Sequence, residues 1–321
     1  MHCGKRHSAH SLAVAARASL ALALCLSCLA MCTLQARAAV EPQAVRVQAR
    51  FSPQVGMIAD AALADDAHLF LLYPELGQIA DYTLDGKLYQ HVVRESGAQS
   101  RFRPTSCTLA GDKVLFFDEA DHKVFFTNPD GNISRGIDLA YPTGDGVLAL
   151  SRIGDLGYGP DGLIYALLPE RGVLASFDAE GQHQSDLDLA KLLPYPTATY
   201  TRAQLLPDGS LFVLDYLQGA VLYRRGATGQ FHRLRLGEQT AGVAAPQVQD
   251  FAAEDNGNLL VATYSESTPL VLLDYESDGY HSHALEIKLP VGGSRLACRA
   301  SRGKYIVWSR DRPFVLVLQA Y

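Results

Sequence analysis

The sequence predicts an all-β protein, a six-bladed β-propeller with four antiparallel strands per blade and an N-terminal strand closing blade six. An apolar run recurs six times, starting at Leu69, Val114, Leu163, Leu211, Leu259 and Tyr305, in steps of 45, 49, 48, 48 and 46 residues. That period suits one four-stranded blade. The runs, such as LFVLD from Leu211 and YIVWS from Tyr305, are apolar on both sides of the pleat. A strand covered on both faces by neighbouring blades reads this way, whereas a half-exposed strand would alternate.

The chain opens with an export signal over residues 1–38: Lys5, Arg6 and Arg17, an apolar run from Leu20 to Leu34, then Ala36-Arg37-Ala38 as the cleavage site. Residues 39–321 are then the propeller, expected in the periplasm or secreted. The apolar run is short for a membrane span. Met31 before Cys32 fits poorly with a lipid anchor, which takes a small residue there. Losing Lys5, Arg6, Arg17 and Arg37 shifts the formal charge from −6 to −10, with 24 Lys and Arg against 34 Asp and Glu. An acidic surface argues against nucleic acid and against peripheral association with anionic lipid. Two cysteines remain, Cys107 and Cys298, at one repeat position in the second and sixth units. A whole blade lies between them, too far for the Cα spacing of about 5.5 Å that a disulfide needs, so both are expected to be buried free thiols.

After the signal, Val45 to Phe51 alternates like a strand with no partner of its own. Ahead of each apolar run comes a softer strand, such as Met57–Leu63, Thr199–Leu206 or Gln247–Ala253, and a turn, such as Asp161-Gly162 or Asp208-Gly209. Behind it lie two more strands joined by turns such as Asp85-Gly86 and Thr228-Gly229. Glycine supplies the positive φ of tight hairpins. The sixth unit ends after a third strand, Phe314–Gln319. The opening strand is therefore expected to add to blade six and remove its free edge.

LPDGSLFVLDYLQGAVLYRRGATG, from Leu206, and GPDGLIYALLPERGVLASFDAEG, from Gly159, resemble the NHL-type family of six-bladed β-propellers. They share its Asp-Gly, apolar strand, polar break, apolar strand, Gly rhythm but lack its usual Asn-x-Arg in the break. The resemblance spans the chain after the signal and implies the repeat architecture. Such propellers include binding modules, scaffolds and a few enzymes, so the fold does not select a function.

Strand order puts the tight turns on a lower face and the longer links on an upper one, among them 94–103, 140–150, 190–200 and 237–246. Binding residues usually sit on such loops. Six residues before each first turn, near the upper end of the innermost strand, stand Asp60, Thr105, Asp155, Arg202, Asp250 and Leu296. Blades one, three and five repeat an apolar-x-Asp-apolar motif there. Asp60, Asp155, Arg202 and Asp250 are candidate ligand-binding residues that could hold a calcium ion or polar ligand at the channel mouth. The architectural alternative is that each Asp caps backbone N–H groups of an adjacent blade. Tyr141 and Tyr195, beside Pro142 and between Pro194 and Pro196, are candidates for stacking on a sugar or peptide.

Asp118, Glu119, Asp121 and His122 form an acidic cluster suited to a metal or to a solvated hairpin end. His281 and His283 share a strand face, and Arg224, Arg225, Arg233 and Arg235 make a basic strip on blade four. No nucleophile elbow, phosphate loop, HExxH or CxxC is present. The column lacks the Glu and Asn ligands of the calcium-dependent lactonase propellers, and Trp308 is alone where quinone-dependent propeller dehydrogenases repeat Trp. The expected function is an exported, non-catalytic propeller binding a protein, peptide or glycan through its upper face. A metal-assisted hydrolase or lyase built on Asp60, Asp155 and Asp250 is the alternative, and a structural subunit of an envelope assembly a third.

Overall fold

The computed structural model describes residues 45–319 except 54–55, 65–67, 93–101, 128–132, 135, 193–199, 235–246, 268, 277–278, 286, 288, 290–294 and 302. The signal segment, Tyr195, Arg235 and the first turn of blade one lie outside the described residues, as do the side chains of His281 and His283.

Six four-stranded antiparallel sheets follow one another along the chain. From the axis outward, blade one is Ala61–Leu63, His68–Tyr73, Gln78–Thr83 and Leu88–Val92, and blade two Pro104–Ala110, Lys113–Asp118, Lys123–Thr127 and Ile137–Asp138. Blade three is Asp155–Tyr158, Ile164–Leu168, Val173–Phe177 and His183–Asp188. Blade four is Tyr200–Leu205, Leu211–Asp215, Ala220–Arg224 and Phe231–Arg233. Blade five is Val248–Ala253, Leu259–Thr263, Leu270–Glu276 and Gly279–Ala284. Blade six has Leu296–Ser301, Lys304–Ser309 and Val315–Gln319, and Arg46–Phe51 adds as its fourth strand, with Val47 opposite Leu318 and Phe51 opposite Val315. The ring closes as the unpaired opening strand predicts.

The core is six apolar clusters, one between each pair of neighbouring blades. Alternate residues of the second strands feed opposite clusters, which is why those strands are apolar at every position. In blade two, Val114 and Phe116 pack towards blade one, and Leu115 and Phe117 towards blade three. In blade six, Tyr305 and Val307 face blade five, and Ile306 and Trp308 face blade one. Burying each such side chain contributes about 1.5–3 kcal/mol. Cys107 and Cys298 lie in two of these clusters as buried free thiols.

Turn chemistry follows the repeat. Gly209 has φ +80°, a conformation that costs glycine little, where it closes the hairpin after Leu205. Gly181 has φ +83°, and a Cβ there would collide with the Asp138 carbonyl oxygen of blade two. One link is not a loop. Residues 140–149 form a hairpin, Ala140–Thr143 with Gly146–Ala149. It lies beside the outer strand of blade three, where Ala140 N donates to Gly181 O at 2.9 Å.

Candidate functional site at the channel mouth

The innermost strands carry Asp60, Asp155 and Asp250 to equivalent places in blades one, three and five, and each carboxylate spans a blade joint. Asp60 Oδ1 accepts from its own neighbour Ala61 N at 2.9 Å, and Oδ2 from Cys107 N of blade two at 2.9 Å. Asp155 accepts from Leu156 N (3.0 Å) and from Ala203 N of blade four (3.1 Å). Asp250 accepts from Phe251 N (2.9 Å) and from Cys298 N of blade six (3.2 Å). The same joint is made three times, always from an odd blade to the following even one. It satisfies a buried N–H that the sheet leaves unpaired.

Three arginines complete the layer. Arg299 of blade six donates from Nε to Asp60 Oδ1 (3.0 Å) and from Nη2 to Asp60 Oδ2 (2.5 Å) and Asp155 Oδ1 (2.7 Å), so it crosses the axis. Arg202 Nε lies 3.2 Å from Asp250 Oδ1 and 3.9 Å from Asp155 Oδ2, and its Nη2 donates to the Cys298 carbonyl at 2.8 Å. Arg310, on an upper loop, brings Nη2 to 3.6 Å from Asp250 Oδ2. The result is an alternating line: Asp60, Arg299, Asp155, Arg202, Asp250, Arg310. Burial pushes the Asp60 carboxyl up, but the Arg299 guanidinium, then Arg202 and the Cys107 N–H, more than offset this and hold it below the ordinary range. Burial pushes Arg299 down, and Asp155 and Asp60 reverse this, holding it well above its usual value. The carboxylate oxygens are thus engaged by backbone N–H groups and guanidinium nitrogens. Among the described residues no three His, Cys, Asp or Glu side chains gather as a metal-ligand set.

Strand pairing corrects two members of the predicted column. Asp60 lies opposite Leu72, Asp155 opposite Leu167 and Arg202 opposite Leu214, and the matching residues are Ser106, opposite Phe117, and Ala297, opposite Trp308. Thr105 and Leu296 are each one residue early. The first hairpins of blades two and six are tighter, with Ala110 pairing Lys113 and Ser301 pairing Lys304. Counting back from the turn therefore overshoots by one. Arg299 and Arg310 were missed altogether. The signal for Arg299 was an arginine inside LACRAS, an otherwise uncharged inner strand, where a cation requires a partner; Arg310, on a loop, carries no such signal.

Tyr141 is 6 % exposed, a different setting from the open loop position expected of it. Its hydroxyl donates to Asp186 Oδ2 at 2.7 Å, the Arg171 guanidinium lies 4.9 Å from its ring centre, and His183 packs against it at 5.2 Å. Burial first, then the bond to Asp186, pushes its phenol up to about 12. The hairpin it anchors was read as a loop because its residues, AYPTGDGVLA, carry no long apolar run. In the acidic cluster, Asp118 Oδ1 accepts from Arg103 N (2.8 Å) and Ala120 N (3.0 Å), and Glu119 pairs with Arg103 at 3.3 Å. In the basic strip, Arg224 lies over Phe231 and Arg225 pairs with Asp208 at 3.5 Å.

Two cavities open on the upper face. One of about 210 Å³ sits over the ion-pair layer, bordered by Asp60, Ser106, Asp155, Arg202, Asp250 and Arg310. The other, about 740 Å³, runs outward past Arg152, Arg171 and Leu148 and shares Arg310 with the first. Exposed Tyr216 borders the first and exposed Leu148 the second, with Val147 next to Leu148 in sequence; Met57, Leu76, Leu217 and Tyr264 are further large exposed apolar side chains, on upper links by strand order. Among the described residues, four others are exposed elsewhere, on outer strands or the lower rim. Burial first, then a hydrogen bond with Tyr216, pushes the Tyr264 phenol up.

No family model matches this sequence, and no curated protein sequence matches it. Solved structures do. Virginiamycin B lyase from Staphylococcus aureus is similar with a TM-score of 0.59 at 12 % identity, over 86 % of this chain and 99 % of that one. A protein of unknown function from Bacteroides thetaiotaomicron VPI-5482 has a TM-score of 0.59 at 12 % identity, over 87 % and 76 %. YCF48 bound to D1 peptide has 0.52 at 12 % identity, over 87 % and 98 %. The shared feature is the fold. Identity this low carries neither activity nor ligand to the present chain.

Proposed function

We propose that the protein is exported to the periplasm or secreted, and acts there as a non-catalytic binding module that seats a protein or peptide segment across its upper face. The observation that carries this is that each upper cavity has a large exposed apolar side chain at its border, Tyr216 at one and Leu148 at the other, and that Met57, Leu76, Leu217 and Tyr264 are exposed on links of the same face. Apolar surface biased to one face marks an interaction site more often than residues scattered over the whole molecule do. Arg152, Arg171 and Arg310 place cations along the same groove. Nothing in this reading requires a metal, because the carboxylates serve the ring itself. That YCF48 binds a peptide on the same kind of scaffold is in keeping with it. A glycan is the weaker partner here, because the Tyr141 ring is covered by Arg171 and His183. We read the repeat as NHL-type on its Asp-Gly and apolar-strand rhythm, and the leader as a cleaved export signal.

Site-specific photo-crosslinking in the native host tests the reading. With benzoylphenylalanine in place of Leu148 or Leu217, a discrete crosslinked species is expected. With it in place of Tyr89, on the outer strand of blade one, none is expected. Crosslinks from position 89 alone, or from none of the three, would overturn the proposal.

A further inference from the structure

The axial channel does not run through. The layer of Asp60, Asp155, Arg202, Asp250 and Arg299 divides it, and beneath that layer lies a separate cavity of about 580 Å³, larger than the one above. It opens between the lower turns, where Pro160 and Pro207 stand at the rim. Its cause is local and repeated. Below the carboxylate position, the innermost strands turn small side chains towards the axis, among them Ala62, Thr108, Gly157 and Ala300. Interiors are ordinarily packed tightly, and a lined space of this size falls within the range of about 300–1,000 Å³ seen for small-molecule sites.

Arg299 borders this lower cavity and not the upper one. Its Nε and Nη2 are spent on Asp60 and Asp155, and Nη1 makes no hydrogen bond to any described residue. The side chain is only 13 % exposed. A donor so placed suits an oxygen acceptor entering from below. The charge of that acceptor is restricted, because the carboxylates of Asp60 and Asp155 both touch the same guanidinium and would repel an anion beside it. At the rim Tyr158 exposes part of its ring, and the remaining wall mixes aliphatic side chains such as Ala62, Leu109 and Ala300 with the polar Thr108, Gln204 and Ser301.

We propose that the lower cavity is a second binding site, independent of the upper-face reading, for an uncharged small molecule with a carbonyl or amide oxygen at its head and a flat ring as its body. The oxygen accepts from Arg299 Nη1, and the ring lies among the small residues below. Benzamide is the smallest probe with both features. Benzoate keeps the shape and adds a charge, and ethylbenzene keeps the ring and removes the acceptor.

Titration followed by NMR decides the matter. Benzamide is expected to bind saturably in the millimolar range, shifting the Arg299 side-chain N–H resonances and the Ala62 methyl. Benzoate and ethylbenzene are each expected to bind at least about tenfold more weakly. Thr108→Trp, which fills the cavity away from the ion-pair layer, should abolish benzamide binding while the melting transition remains cooperative. Should that variant fail to fold, Ala300→Phe serves the same purpose. No saturation by benzamide, benzoate binding as tightly, or binding that survives the filled cavity would each overturn the proposal.

Discussion

The joint between blades four and five and the joint between blades two and three come from the same repeat, yet they are closed at opposite ends. Between four and five the closure is axial: Arg202 reaches Asp250, and the Gln204 carboxamide exchanges two hydrogen bonds with the Ala253 backbone, at 2.7 and 2.9 Å. Between two and three, no side-chain hydrogen bond joins the innermost strands among the described residues. Blade two has Ser106 where blade four has Arg202. Closure there is peripheral, through the 140–149 hairpin, the Tyr141–Asp186 bond and Ala140 N to Gly181 O. Asp155, left without a cation from blade two, takes Arg299 from across the axis instead. A ring of repeats can tolerate a missing local contact when a long side chain elsewhere in the ring supplies the charge.

The largest expected effect follows from that use of one arginine for two carboxylates. Arg299→Met leaves two buried carboxylates short of their cation and should cost about 3–5 kcal/mol in urea unfolding. A loss below about 1 kcal/mol, the scale of an exposed ion pair, would mean the axial crossing is dispensable. Gln204→Ala strips an axial closure and leaves buried backbone groups unpaired, at about 1–3 kcal/mol, while Tyr141→Phe removes one peripheral hydrogen bond, at about 1 kcal/mol. Equal losses would erase the distinction between the two joints. The smallest effect is in pH dependence. The Asp60 carboxyl is held below its unfolded value, so its contribution is present above the ordinary carboxylate pKa and disappears as pH falls through the lowered folded value. Unfolding midpoints measured downward from neutral pH should fall less steeply in Asp60→Asn, whose starting stability is lower; parallel slopes would show that Asp60 does not contribute.

The ring was legible in the sequence because its cause is local. Period, glycine turns and the doubly apolar runs at Leu115–Phe117 or Leu259–Val261 are properties of contiguous residues. Strand closure by Arg46–Phe51 followed from a missing fourth strand. The ion-pair layer was legible only by halves. Asp60, Asp155 and Asp250 repeat within a motif and could be placed near the axis, but Arg299 meets Asp60 at a separation of 239 residues, with no motif to mark it. Counting could not resolve the slip at Thr105 and Leu296 either, since it depends on how tightly two hairpins turn. The burial of Tyr141 was hidden for a related reason: Pro142 suggested an open link, while Asp186 and Arg171, distant in sequence, contact and cover it.

The claim that the carboxylates hold the ring together is tested most directly by melting wild-type protein and Asp155→Ala, each with excess chelator and with added calcium. The wild-type transition should be the same in both solutions, and the variant should melt lower by the same margin in each. A wild-type transition that rises with calcium, falls with chelator and converges there on that of the variant would show the carboxylates holding a metal ion, contrary to the arrangement described.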